Sequence, residues 1–232
     1  MTFSITARCE KTGQFGVAVS TCVPAVGSLC PFAKAGVGAI ATQSFVNPYI
    51  GVNGLKYLEE GLSAQEVLDK VLAEDPEPEL RQVAIVDKNG QAVAFTGEKS
   101  DTWKGHLTGD NYAVAGNMLV GKETIKEMAR AFEENADASL AERLLSALEA
   151  GQAAGGDKRG RQSAALYVVD TEAYPLLDLR VDEHEDPVKE LRRVFTVAQK
   201  QLSPFIKMLP TKDNPKGTFN FEESRKMGLL QD

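Results

Sequence analysis

Thr2-Phe3-Ser4-Ile5-Thr6-Ala7-Arg8, the turn Lys11-Thr12-Gly13-Gln14, and Phe15-Gly16-Val17-Ala18-Val19-Ser20-Thr21 together decide how this chain is read. Phe3, Ile5 and Ala7 recur with a period of two, and Phe15, Val17 and Val19 resume that period after the turn, so the segment predicts a β-hairpin. On the alternate face of its second strand Gly16, Ala18 and Ser20 are small, which suits a sheet packed closely on another layer. Gly38-Ala39-Ile40-Ala41-Thr42-Gln43 predicts a third strand.

Helical spacing takes over near Val52, where Leu55 and Leu58 lead to Gly61. Ser63 and Glu66 then form a capping box ahead of Val67, Leu68, Val71 and Leu72. Leu80 to Val86 and Gln91 to Phe95 flank Lys88-Asn89-Gly90, a hairpin through an Asn-Gly turn, and Tyr112 to Ala115 is a further strand. Ile125, Met128, Ala129 and Phe132 mark one helix; Ser139 and Glu142 cap the next, which carries Leu144, Leu145 and Leu148. Strands over Ala164 to Val169 and Leu176 to Val181 precede a last helix. It opens at Asp186-Pro187, with Asp as N-cap, and buries Leu191, Val194, Phe195 and Ala198. Beyond Ser203 the chain holds Pro204, Pro210 and Pro215 with little periodicity. The expected organisation is therefore one domain over residues 1–202 and a tail over 203–232 that packs on it or on a second subunit.

Strands, two helices, strands, two helices, strands, helix is an α+β order in segregated blocks, unlike the strict alternation of a parallel doubly wound fold. Paired helices between blocks of strands suit a sheet-on-sheet core with helices on both outer faces.

Composition narrows the function. The 232 residues carry 26 Lys and Arg against 33 Asp and Glu, a formal charge of −7, which disfavours the clustered positive charge that nucleic-acid binding needs. No apolar run approaches the roughly 18 residues of a membrane helix, and the opening residues lack the pattern of an export signal, so a cytoplasmic protein without membrane association is expected. Cys9, Cys22 and Cys30 are odd in number and dispersed, which argues for reduced thiols. His106 and His184 stand outside any metal-ligand spacing, so no metal and no cofactor is expected.

Gly36-Val37-Gly38-Ala39-Ile40-Ala41 matches a dinucleotide fingerprint in letters, but its glycines precede or enter a strand where the fingerprint needs them between strand and helix. Gly116-Asn117-Met118-Leu119-Val120-Gly121-Lys122 is one residue short of a phosphate loop, because Glu123 replaces the metal-binding hydroxyl. His106 reads as a loop residue, Cys22 as a small buried side chain, and no Gly-x-Ser-x-Gly elbow occurs. Two features remain. Gly155-Gly156-Asp157-Lys158-Arg159-Gly160-Arg161-Gln162-Ser163 is a dense polar loop ahead of an apolar strand, suited to an anionic ligand. Thr2 follows the initiator Met and is small enough for aminopeptidase processing. A freed α-amine, with an ordinary pKa of roughly 7.7 to 8.0, can act as base for the hydroxyl of its own residue.

The segments Thr2–Arg8, Gly16–Val19, Ala35–Gln43, Gly116-Asn117 and Gly155–Leu166, in this order, resemble the bacterial family called domain of unknown function 1028. That family is placed among the N-terminal nucleophile (Ntn) hydrolases. The resemblance implies a four-layer αββα sandwich and hydrolysis of a small amide or peptide-like substrate. Thr2 would be nucleophile and base, Gln43 and Asn117 would supply oxyanion contacts, and Asp157 would orient the amine. Asn47, Arg159, Arg161, Gln162 and Ser163 would line the substrate site, the arginines meeting a carboxylate. Proteasome-type members carry an Asp where this chain reads Val19-Ser20-Thr21, and their catalytic Lys has Lys34 as its loose counterpart. Some relatives are joined to peptidoglycan-binding modules, which admits a rival: a non-catalytic binding or assembly protein that recognises cell-wall fragments on the same fold. Pairing is common among Ntn sandwiches, and Phe205, Ile206, Leu209, Phe219, Phe221, Leu229 and Leu230 of the tail favour a homodimer.

Overall fold

The computed structural model describes residues 2–99, 103–226 and 228. Among these it is a mixed α/β protein with two antiparallel sheets and six α-helices. β1 (Thr2–Arg8) and β2 (Phe15–Thr21) form the expected hairpin, with Gly13 at φ 75° closing the turn. They are the central strands of a six-stranded sheet completed by β7 (Trp103–Gly109), β8 (Tyr112–Leu119), β9 (Ser163–Val169) and β10 (Leu177–Val181), in the order β10-β9-β2-β1-β8-β7. A second sheet, β3-β4-β5-β6, comprises β3 (Pro31–Lys34), β4 (Gly38–Ser44), β5 (Arg81–Asp87) and β6 (Ala92–Thr96).

Three apolar clusters follow from the period of two in these strands. Phe15, Val17 and Val19 of β2 meet Ala39, Ala41 and Ala84 of the second sheet, so large side chains on one sheet fill against alanines on the other. The alternate face receives α3 (Glu123–Glu134), α4 (Leu140–Ala153) and α5 (Pro187–Ile206), with Phe3, Ile5 and Ala18 beneath Met128, Leu144 and Phe195. The small residues of β2 therefore admit a helix: a Cβ on Gly16 would stand 2.6 Å from Leu144 Cδ1 and 2.9 Å from the Tyr167 carbonyl. The outer face of the second sheet buries Ile40, Val83 and Ile85 under α1 (Pro48–Glu59) and α2 (Ala64–Glu74).

Several local expectations change. His106 lies in β7 and not in a loop; its strand, Trp103–Gly109, has no buried residue and β3 has only four residues, and at these sheet edges the alternation is too weak to stand out in sequence. α1 begins at Pro48, capped by the Asn47 side chain, which accepts from Tyr49 N–H at 3.1 Å. At α5 Asp186 makes no side-chain cap and pairs instead with Arg161 at 3.2 Å. That helix passes the expected boundary at residue 203 and ends at Ile206 with Pro204 inside it. Near a C-terminus the amide that proline lacks removes a single helical bond, so the turn survives. Within the tail, α6 (Phe221–Lys226) is a short helix. Gly36, at φ 70°, turns β3 into β4, so the glycine pair joins two antiparallel strands and opens no helix. No helix among the described residues is long and apolar enough to cross a membrane.

Candidate active site

Directly opposed residues in an antiparallel sheet put their side chains on the same face. Register aligns Ser163, Thr21, Thr2 and Asn117 across β9, β2, β1 and β8. Val19, Ala115 and Ala165, two residues along, face the second sheet, so this row faces it too. The second sheet answers with Gln43, Gln82 and Thr96 across β4, β5 and β6, in period with Ala41, Ala84 and Ala94. Two polar rows thus meet where the inter-sheet core ends.

The rows are joined by hydrogen bonds. Thr2 Oγ1 and Thr21 Oγ1 are 3.1 Å apart, with either able to donate. Asn117 Nδ2 and Gln43 Nε2 both donate to Gln82 Oε1, at 2.9 and 2.8 Å. Gln82 Nε2 in turn faces Thr96 Oγ1 at 2.8 Å and the carbonyls of Gly105 at 3.1 Å and Gly116 at 2.9 Å. Thr96 Oγ1 also lies 2.8 Å from His106 Nδ1. Thr2 is 7% exposed, while Asn117 and Gln82 are fully buried. Backbone strain gathers beside these side chains: Ser44, after Gln43, has φ 75°, and Met118, after Asn117, has φ 52°. Left-handed conformations at non-glycine residues cost of order 1–3 kcal/mol and concentrate at functional sites.

The loop between α4 and β9 closes one side of the row. Gly155 and Gly156 have φ 119° and 58°, and a Cβ on Gly156 would stand 3.2 Å from the Phe3 ring, so glycine is needed for both conformation and approach. Asp157 follows, bridged to Leu119 and buried. Its Oδ2 accepts the Cys22 N–H at 3.0 Å, its Oδ1 accepts the Arg159 N–H at 2.7 Å, and the Arg159 guanidinium lies 3.3 Å away. Ser163 Oγ donates to the Val23 carbonyl at 2.6 Å and accepts from Val26 N–H at 3.1 Å. Gln162 N–H donates to the Thr21 carbonyl at 3.0 Å. Through this backbone bond the loop is tied to the last residue of β2, beside the Thr2 hydroxyl.

Register and hydrogen bonds thus bring Thr2, Thr21, Asn117, Gln43, Gln82 and Ser163 to one end of the inter-sheet space, with Asp157 and Gln162 at its border. The other residues singled out in the sequence lie elsewhere or are engaged. Asn47 donates to Asp75 Oδ2 at 2.7 Å and belongs to a brace beyond β4, in which Arg81 meets both Asp75 oxygens at 2.8 and 3.1 Å and holds the Phe45 carbonyl at 2.7 Å. Burial pushes the Asp75 carboxyl up, but hydrogen bonds from Arg81, Asn47 and the Glu77 N–H prevail and hold it down at about 2. Arg161 is paired with Asp186. Lys34 pairs with Glu59 at 2.5 Å, and its register with Gly38 puts it at the end of the second sheet away from Gln43. Cys22 is half-buried, next to Thr21.

Gln82 and Thr21 carry no motif, and reading the sequence for motifs passes over them. Their one signal is a polar side chain at an inward position of an otherwise apolar strand, which becomes visible only once the inward face is known.

The model of a family of unknown function, DUF1028, matches residues 2–191. The crystal structure of protein SPO2555 from Silicibacter pomeroyi, of the DUF1028 family, is similar at a TM-score of 0.86 and 28% identity, covering 94% of this chain and 99% of that one. Anbu (ancestral beta-subunit) from Yersinia bercovieri aligns at a TM-score of 0.38 and 12% identity, covering 90% of this chain and 99% of that one. No curated protein matches the chain.

Proposed function

Since this chain belongs to the DUF1028 family, we propose that it is an Ntn-type amidohydrolase that cleaves a small, carboxylate-bearing amide with Thr2 as its N-terminal nucleophile. The observation that carries this reading is the position of Thr2. It begins a central strand, on the inter-sheet face, with its hydroxyl against Thr21 and a buried amide, Asn117, directly opposite. The order helices, sheet, sheet, helices supports a four-layer αββα sandwich of the Ntn type.

In this reading Met1 is removed and the α-amine of Thr2 takes the proton from Oγ1 as the oxygen attacks the substrate carbonyl. The tetrahedral oxyanion accepts N–H donors at the strand ends, where Gln43 and Asn117 each have a second N–H beyond the one given to Gln82. Collapse breaks the C–N bond, the leaving amine takes the proton held by the α-amine, and an acyl ester remains on Thr2. Water, deprotonated by the same amine, adds to the ester; the bond from the acyl carbon to Oγ1 breaks, Oγ1 takes the proton back from the amine, and the acid is released. Thr21 orients the nucleophile, and Asp157 holds the end of β2 and the basic loop in place. Gln162, Ser163, Arg159 and Arg161 border the substrate, whose carboxylate competes with Asp157 and Asp186 for the two guanidinium groups. Asn47 contributes indirectly, holding with Asp75 and Arg81 the loop that follows Gln43.

A second reading, a non-catalytic protein that binds a ligand such as a cell-wall fragment, is favoured by the low exposure of Thr2 and by protein donors on both Asp157 oxygens. One experiment separates the two. Untagged protein is weighed intact and then incubated with N-acyl amino acids, acidic dipeptides and muropeptide fragments, each beside its amide-capped form. Loss of Met1, an acyl adduct on the peptide beginning at Thr2, and absence of that adduct in Thr2→Ala are expected. Retained Met1, or binding without turnover by both parent and Thr2→Ala, supports the non-catalytic reading. Equal behaviour of capped and free ligands, or of Arg159→Ala and Arg161→Ala beside the parent, removes the carboxylate from the proposal.

A further inference from the structure

Gln82 lies at the centre of the two polar rows, and its orientation has a consequence for Asn117. A side-chain amide can be reversed without changing its shape, so its oxygen and nitrogen are assigned from fixed partners. Gln82 has such partners: the carbonyls of Gly105 and Gly116 only accept, and both lie within 3.1 Å of its Nε2. Its Oε1 therefore faces the opposite way, toward Asn117 and Gln43, and each of these must present an N–H to it. Asn117 is then fixed in turn. Its nitrogen points at Gln82, and its oxygen, fully buried, has no hydrogen-bond partner among the described residues. A buried amide oxygen left without a donor costs on the scale of a lost hydrogen bond, so a donor that reaches the Asn117 oxygen is stabilised there.

Asn117 stands opposite Thr2 in the β1–β8 register, with its side chain on the face that Thr2 shares. We propose that Gln82 is a positioning residue that locks Asn117 with its carbonyl oxygen turned to the Thr2 centre, where that oxygen accepts a hydrogen bond from the α-ammonium of a processed Thr2. This rests on the reading of Thr2 as the N-terminal residue. It adds to the part expected of Asn117: beside the second N–H offered to an oxyanion, the side chain presents an acceptor to the base. An acceptor beside the ammonium favours the protonated form and raises the amine pKa.

The test needs no substrate. Protein released at Thr2 from an N-terminal fusion, by a protease that leaves no extra residue, is titrated by ¹⁵N NMR of the Thr2 amine. Asn117→Leu is expected to lower the amine pKa by about half a unit to one unit, and Asn117→Asp, which adds a negative charge at the same place, to raise it by at least as much. Gln82→Met, of similar length and unable to hold either amide, is expected to lower it as Asn117→Leu does. In the unmutated protein, cross-relaxation between the side-chain NH₂ protons of Asn117 and Gln43 reads the orientation directly, because both nitrogens meet on one oxygen. An amine pKa unmoved in both Asn117 variants overturns the proposal. Absence of that cross-relaxation, or a folded Gln82→Met with the parental pKa, removes Gln82 from it. The amine titrates whether or not Thr2 transfers an acyl group, so failure here and failure of the hydrolase reading are told apart.

Discussion

The hydroxyls of Thr2 and Thr21 lie 3.1 Å apart across the first hairpin, at the end of β2 where its inward face changes from apolar to polar. Val19, two residues before Thr21, is still part of the inter-sheet core, so the Thr21 rotamer is held by a packed wall on one side and by Thr2 on the second, while Thr2 is followed on its own inward face by the buried Ser4 and Thr6.

Thr21→Val keeps the shape of the side chain and removes its hydroxyl. With Thr2 as nucleophile, the rate of acyl transfer to Thr2 is expected to fall about 5- to 10-fold, the equivalent of one neutral hydrogen bond. Stability should move by no more than about 1 kcal/mol, read by urea denaturation. A parental acylation rate would make the Thr2–Thr21 contact structural.

Asp157→Asn leaves the loop its size but exchanges a charged acceptor for an amide facing the Cys22 and Arg159 N–H groups. Loss of charge-assisted bonds at a buried site is expected to cost about 1–3 kcal/mol and to lower turnover, with the circular dichroism of the fold retained. A variant of parental stability and turnover would exclude Asp157 from both roles.

Asp75 makes the stability of the fold depend on pH. Its folded pKa, about 2, is below the ordinary 3.8, so between these values the unfolded chain binds more protons than the folded one. The contribution is fully present above about pH 4 and is lost as pH falls through 2. Its size is about 2 kcal/mol. Urea midpoints of parent and Asp75→Asn should therefore differ most above pH 4 and converge toward pH 2; a difference that is constant with pH would refute the assignment.

Phe219 and Phe221 meet edge to face at 4.9 Å and are 52% and 66% exposed, an apolar pair that a second subunit can cover. Light scattering at micromolar concentration is expected to give twice the chain mass, and Phe219→Ser with Phe221→Ser to halve it. A parental monomer at high concentration would leave this pair as part of an intramolecular strap. Leu229 and Leu230 of the same tail lie outside the described residues.

Much of the architecture is legible in the sequence. The period of two in Phe3–Ala7 and Phe15–Val19, the Asn-Gly turn at 89–90 and the Ser63–Glu66 box are local codes, each set by backbone and near-neighbour physics within a few residues. Thr2, Asn117 and the Gly155–Ser163 loop can likewise be singled out as unusual in place or composition. Which of these meet is not written in any local stretch of the chain. Asn117 reaches Thr2 only because β8 pairs with β1, and Gln82, from the other sheet, reaches Asn117 only because the two sheets stack. Asn47, close in sequence to Gln43, is drawn away because Asp75 and Arg81 hold the loop after β4. His106 and β7 escaped for a related reason: an edge strand with no buried residue, exposed at His106, Leu107 and Thr108 in succession, has no inward face to impose alternation. Periodicity and capping depend on contacts between near neighbours and survive in a linear reading. Strand order and sheet stacking depend on contacts between residues as far apart in the chain as Thr2 and Asn117, and only the packed tertiary structure decides them.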